Sequence, residues 1–96
     1  MTETVRMVVF VSGLVQGVGF RWWTRTHALE LGLAGRARNT DDGRVEVEAE
    51  GTREACEQLL DLLTEWPSMH RRPGRVSFVS GPQWGTGRGL SGFTEA

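Results

Sequence analysis

Residues 5–31 read VRMVVFVSGLVQGVGFRWWTRTHALEL, and the change of pattern inside them decides the architecture. Val5 to Val11 is dominated by β-branched and apolar residues, the composition of a central strand. Ser12 and Gly13 break it. A loop follows over Leu14, Val15, Gln16, Gly17, Val18 and Gly19, where two spaced glycines open backbone conformations closed to other residues. From Phe20 or Arg21 to about Leu31 the period becomes helical, with Thr24, Ala28 and Leu31 sharing one face. Gly32 stands where helices prefer to stop.

Downstream, Arg36 to Thr40 is a short second strand. Thr40-Asp41-Asp42-Gly43 is a hairpin signal, because Asp-Gly supplies positive φ. Arg44 to Gly51 alternates strictly: Val45, Val47 and Ala49 point one way, and Glu46, Glu48 and Glu50 the other. The alternation predicts an antiparallel strand with a core face and a solvated acidic face. Thr52 caps a second helix. Its apolar stripe is Ala55, Leu59, Leu62, Leu63 and Trp66, with Trp66 closing its core and Pro67 marking its end. Cys56 is expected to be a small buried or half-buried helix residue. Residues 67–74 form a loop, Arg75 to Ser80 a fourth strand, residues 85–89 a Gly-rich turn, and Leu90 to Thr94 a short last strand. The order β-α-β-β-α-β with an added strand predicts an α+β fold. It is a ferredoxin-like sandwich, an antiparallel sheet of four to five strands with two helices on one face. Residues 1–96 are expected to form a single domain.

Hydrophobic residues make up 39% of the 96, enough for a compact core. No apolar run approaches the ~20 residues of a membrane span, and the N-terminus lacks a secretory pattern. A cytoplasmic protein without membrane association is expected. One cysteine excludes an internal disulfide and a Cys-based zinc site. No metal and no cofactor are called for. Net charge is −1, distributed as +3 over residues 1–40, −7 over 41–66 and +3 over 67–96. Nucleic-acid binders show a stronger basic footprint. RNA-binding modules on this architecture stack bases on aromatics of two adjacent central strands. Arg44 to Gly51 has no aromatic and offers three glutamates instead. No nucleic-acid partner is expected, and at this size a monomer is.

The segment Val11 to Arg21 joins a strand to a helix N-terminus, where unpaired backbone N–H groups and a partial positive charge gather. With Gly17 and Gly19 leaving room for N–H groups to point inward, the loop suits a tetrahedral oxyanion. Arg21 adds a guanidinium whose fork matches two phosphate oxygens. Such a loop also serves as an ordinary strand–helix connection, and the Gly-Lys-[Ser/Thr] of a Walker loop is absent. Asn39, at the end of the second strand, reads equally as common turn chemistry. His27 is expected to pack or lie on the surface, and His70 to sit in a solvated loop. Of Trp22 and Trp23, at least one is expected to pack on the sheet.

Taken together, the two segments resemble the signature of the acylphosphatase family. The first matches V-x-G-x-V-Q-G-V-x-F-R at Val11, Gly13, Val15, Gln16, Gly17, Val18, Phe20 and Arg21. The second matches at Gly35, Asn39, Gly43 and Val45. Gly32-Leu33 and Ser91-Gly92-Phe93 extend the likeness over nearly the whole chain. Two positions depart from the pattern. Arg36 stands where the family prefers an aromatic residue, expected to be a surface change. The sequence stops at Glu95-Ala96, where relatives commonly run on to an aromatic end, which would loosen the last strand or its support of the site.

The resemblance implies hydrolysis of acyl phosphates to carboxylate and inorganic phosphate. It assigns Arg21 as the phosphate-binding arginine and Asn39 as the water-orienting amide. The backbone N–H groups of Gln16, Gly17, Val18, Gly19, Phe20 and Arg21 would form the cradle. The inventory agrees with that chemistry. A carboxylate leaves without protonation, its conjugate acid having a pKa near ~4, so no general acid is needed. The competing reading is a non-catalytic anion-binding or regulatory module of the same architecture.

Overall fold

The computed structural model describes residues 3–96. It contains β1 (Val5–Leu14), α1 (Phe20–Glu30), β2 (Ala34–Asn39), β3 (Val45–Gly51), α2 (Arg53–Thr64), β4 (Arg75–Thr86) and β5 (Phe93–Glu95). The sheet order is β4-β1-β3-β2-β5. β3 inserts between β1 and β2, which makes the split βαβ of the ferredoxin-like sandwich. α1 lies against β2 and β5, α2 lies against β1, β3 and β4, and the helices touch each other over that face.

Alternation builds the core as expected. Met7, Val9 and Val11 of β1 and Val45, Val47 and Ala49 of β3 are fully buried, and Phe20, Trp23, Ala28, Cys56, Leu59 and Leu63 of the helices close over them. Of the tryptophan pair, Trp23 packs and Trp22 is exposed. The Thr52 hydroxyl accepts from the Ala55 N–H at 3.0 Å, the cap its sequence position predicts.

Three features depart from the sequence reading. First, β4 continues past Ser80 to Thr86, with an irregularity where it passes Val8 to Phe10 of β1. The last strand, expected over Leu90 to Thr94, is β5 at Phe93–Glu95 on the edge opposite β4, and it makes the sheet mixed rather than wholly antiparallel. There it pairs parallel with β2, Gly35 opposite Phe93 and Ala37 opposite Glu95. Second, Trp66 is 80% exposed. α2 ends at Thr64, so the helical period no longer governs position 66, and the buried face of the helix is Cys56, Leu59 and Leu63. Third, the glutamates of β3 do not form a solvated face: Glu48 is 5% and Glu50 3% exposed. Arginines from the flanking strands cover them. Arg6 pairs with Glu48, Arg36 reaches Glu48 at 3.3 Å, and Arg38 holds Glu46 at 2.6 Å. Glu50 Oε1 accepts the N–H groups of Arg88, Gly89 and Leu90 at 2.9–3.2 Å. Arginines of residues 1–40 thus neutralise Glu46 and Glu48 across one sheet face, while residues 88–90 hold Glu50 through main-chain N–H groups. Arg36 enters this layer as a working ion pair.

Candidate functional site

The loop between β1 and α1 passes through two left-handed glycines, Gly17 at φ 74° and Gly19 at φ 84°. Gly19 is the N-cap of α1 and offers no side-chain cap. A Cβ at either position would meet open space. Their necessity therefore lies in the positive φ, which L residues rarely adopt, rather than in room for a ligand. The first backbone hydrogen bond into the helix is Trp23 N–H to Gly19 O at 3.0 Å. Among the described residues, no acceptor takes the N–H groups from Gln16 to Trp22. Unpaired donors at a helix start carry a partial positive charge and are open to an anion.

Arg21 sits half-buried in the first turn of α1. Its Nη1 donates to Ala96 O at 2.8 Å. One turn along, Arg25 Nε donates to Phe93 O at 2.9 Å. The two arginines share a helix face and hold Phe93, which opens β5, and Ala96, which follows it. Ala96 is held from the other side too, its N–H donating to Ala37 O at 2.9 Å. The last residues, where the family resemblance raised the prospect of a loosened strand, are thus bonded to both α1 and β2. The contact takes one of the five guanidinium N–H donors of Arg21 and leaves the others for a ligand.

Asn39 ends β2. Strand alternation puts it on the same side as the fully buried Ala37 and opposite Arg38. That is the face α1 covers. The Oδ1 of Asn39 is sealed from solvent and takes no hydrogen bond from the described residues. A buried acceptor left in that state costs about 1–3 kcal/mol. The hairpin that follows is stiff. Thr40 N–H donates to Arg44 O at 2.8 Å, and Asp42 accepts from the Thr40 hydroxyl and from Arg44 Nε at 2.9 Å. The Arg44 hydrogen bond, helped by Thr40, holds the Asp42 carboxyl down to about 2.

The Gln16 side chain joins the two halves. Its Nε2 donates to Thr40 O and to Arg44 O, both at 2.9 Å. The loop of unpaired N–H groups is thereby pinned to the hairpin that carries Asn39. Sequence reasoning used only the backbone of Gln16. Its partners are carbonyls, which no residue type announces. The Arg21–Ala96 contact was equally silent, since it depends on where β5 lands.

His27 and His70 lie apart from this arrangement. Their rings meet edge to face at 5.8 Å, His27 packs on Trp23, and His70 Nδ1 lies 2.8 Å from Glu65 Oε1. That hydrogen bond draws the Glu65 carboxyl below its ordinary value.

Comparison with known proteins points one way. The sequence profile of the family described as Acylphosphatase matches residues 7–94. The chain is 61% identical to an acylphosphatase of Corynebacterium efficiens, over 98% of this chain and 94% of that protein. Among solved structures it is similar to an acylphosphatase from Coxiella burnetii, with TM-score 0.78 and 34% identity over 98% of this chain and 94% of that one. The crystal structure of acylphosphatase from Bacillus subtilis superposes with TM-score 0.81 at 28% identity, over 96% of this chain and 98% of that one.

Proposed function

The chain belongs to the acylphosphatase family, and from that premise we propose that it hydrolyses acyl phosphates without a metal, in the loop of residues 16–21 and at the end of β2. The observation that carries the reading is the row of unpaired N–H groups at the start of α1, beside a guanidinium with donors to spare.

The N–H groups of Gln16, Gly17, Val18, Gly19, Phe20 and Arg21 hold the non-bridging phosphoryl oxygens, and the Arg21 side chain supplies the charge. Phosphoryl transfer needs mostly positioning and charge stabilisation. Asn39 aims the attacking water. Its unpartnered Oδ1 supports this role, since a water proton is the donor that oxygen lacks. To meet a water, Oδ1 has to turn out of the sealed position it holds in this structure, a rotation that the broad χ2 torsion of asparagine permits. A neutral amide is a poor base, so the proton passes to a phosphoryl oxygen. The water oxygen bonds to phosphorus as the phosphorus–acyl oxygen bond breaks. The carboxylate leaves with the bonding pair, needing no acid because its conjugate acid has a pKa near ~4.

A binding module would need no water-positioning amide, and this separates the two readings experimentally. The wild-type chain, incubated with acetyl phosphate and with benzoyl phosphate in excess chelator, is expected to turn both over many times. Stoichiometric phosphate binding with no turnover above the uncatalysed rate would establish the module instead.

A further inference from the structure

β4 ends at Thr86 on one edge of the sheet, and β5 starts at Phe93 on the other. Residues 87–92 therefore cross the sheet. They do so on the face without helices. Glu50 Oε1 takes the N–H groups of Arg88, Gly89 and Leu90, and alternation turns Glu50 away from the core residues Val45, Val47 and Ala49. Beside this crossing lies a cavity of about 320 Å³, lined by Arg36 of β2, Glu48 of β3, Arg88, Leu90 and Ser91 of the crossing and Thr94 of β5. That volume lies within the ~300–1,000 Å³ usual for small-molecule sites.

Strand register brings these side chains together. Arg36 stands opposite Glu48 on one side and opposite Thr94 on the other. Thr94 follows the buried Phe93, so it points to the same face as Arg36. The walls carry more donors than acceptors. Arg36 meets Glu48 through Nε at 3.3 Å, which leaves its Nη groups for a ligand. Arg88 is bonded through its main-chain N–H, and its guanidinium pairs with no carboxylate among the described residues. Ser91 and Thr94 are exposed, and their hydroxyls carry no hydrogen bond among the described residues. Glu48 is the one carboxylate of the lining, and Arg6 already pairs with it from the other side. Burial raises that carboxyl, but Arg6 and then the charges of Arg36 and Arg88 outweigh it, so the Arg88 charge acts on the cavity floor. An exposed arginine is ordinarily just solvated. Here two arginines and two hydroxyls, from three parts of the fold, meet in one concavity whose crossing segment Glu50 holds in place.

We propose that this cavity is a second anion site, built for a small dianion such as a phosphate or a dicarboxylate. Arg36 and Arg88 supply the two charges, and their planar forks suit paired oxygens. Ser91 and Thr94 donate their hydroxyls to the same ligand. The cavity shares no lining residue with the loop of residues 16–21 or with Asn39, so it holds its ligand whether or not that loop is the phosphate cradle.

The test follows the backbone amide resonances of the wild-type chain by NMR as inorganic phosphate or succinate is added, against sodium chloride of equal ionic strength. Saturable shifts are expected at Gly35, Arg36, residues 88–91 and Thr94, and the tighter of the two probes names the ligand class. Removing one charged hydrogen-bond donor costs about tenfold in affinity. Arg88→Gln keeps the N–H that Glu50 accepts and is expected to weaken binding by about that factor. An unchanged melting temperature checks its fold, and Ser91→Ala, which removes one exposed hydroxyl, is expected to weaken binding in the same direction. Shifts that grow without saturating, that sodium chloride reproduces, or that keep wild-type affinity in Arg88→Gln overturn the site. Each of those results leaves the catalytic reading intact, because residues 16–22 report phosphate in the cradle separately in the same spectra.

Discussion

Gln16 Nε2 donates to Thr40 O across 2.9 Å, tying the loop that starts α1 to the residue that follows Asn39. The same nitrogen reaches Arg44 O, on the far side of the hairpin. One amide thus ties the loop of residues 16–21 to the end of β2.

Replacing Gln16 by leucine keeps the backbone N–H but removes the tether. Misplacement of about 1 Å can cost ~10²-fold in rate, and each lost hydrogen bond weakens the fold by about 1 kcal/mol. Gln16→Leu is expected to lower kcat for benzoyl phosphate by tenfold or more while folding remains intact. Steady-state kinetics beside urea denaturation checks this. Unaltered kcat with lowered stability would make the tether purely structural.

Arg21 contributes charge and a fork, and lysine supplies only the first. Loss of an anion-stabilising donor typically costs ~10²–10³ in rate. Arg21→Gln is expected to lose at least that much, and Arg21→Lys is expected to fail as well. Both changes also free Ala96 from α1. Hydrogen exchange over residues 92–96 reports that release separately from turnover. A lysine variant with wild-type kcat would show that charge alone suffices.

Glu48 links acid stability to the buried ion-pair layer. Burial pushes its carboxyl up, but the Arg6 hydrogen bond and the charges of Arg6, Arg36 and Arg88 outweigh burial and set it below 4.5. A depressed carboxyl stabilises the fold fully above the unfolded value of 4.5 and ceases to as pH falls through the lowered one. Glu48→Gln is expected to cost about 2 kcal/mol at pH 7 and to flatten the decline of stability below pH 4.5. Urea unfolding from pH 6 to 3 measures both. A variant curve parallel to wild type would place the acid sensitivity elsewhere.

The legible parts of this protein are those written in periodicity and local chemistry. The Val45-Val47-Ala49 alternation, the Thr52 cap and the helical spacing of Thr24 and Ala28 each translate into one packing face. The pairings of β5 do not, because a three-residue strand carries too little pattern to choose an edge. Burial of Glu48 and Glu50 escaped for a related reason. Alternation predicts which way a glutamate points, whereas its cover comes from Arg6, Arg36 and residues 88–90, distant in sequence. At the site, Arg21, Asn39 and the glycines stand out by type and spacing. Gln16 as a tether acts through the carbonyls of Thr40 and Arg44, and Arg21 meets a main-chain oxygen of Ala96, groups that no residue type announces.

The division of labour between Arg21 and Asn39 is the centre of the account. Its most direct test is Asn39→Ala, measured for kcat with benzoyl phosphate and for competitive inhibition by inorganic phosphate. The account predicts that kcat falls by about two orders of magnitude or more, with the phosphate inhibition constant within threefold of wild type. Equal losses in turnover and in phosphate affinity would contradict it, and would make Asn39 part of the grip on phosphate.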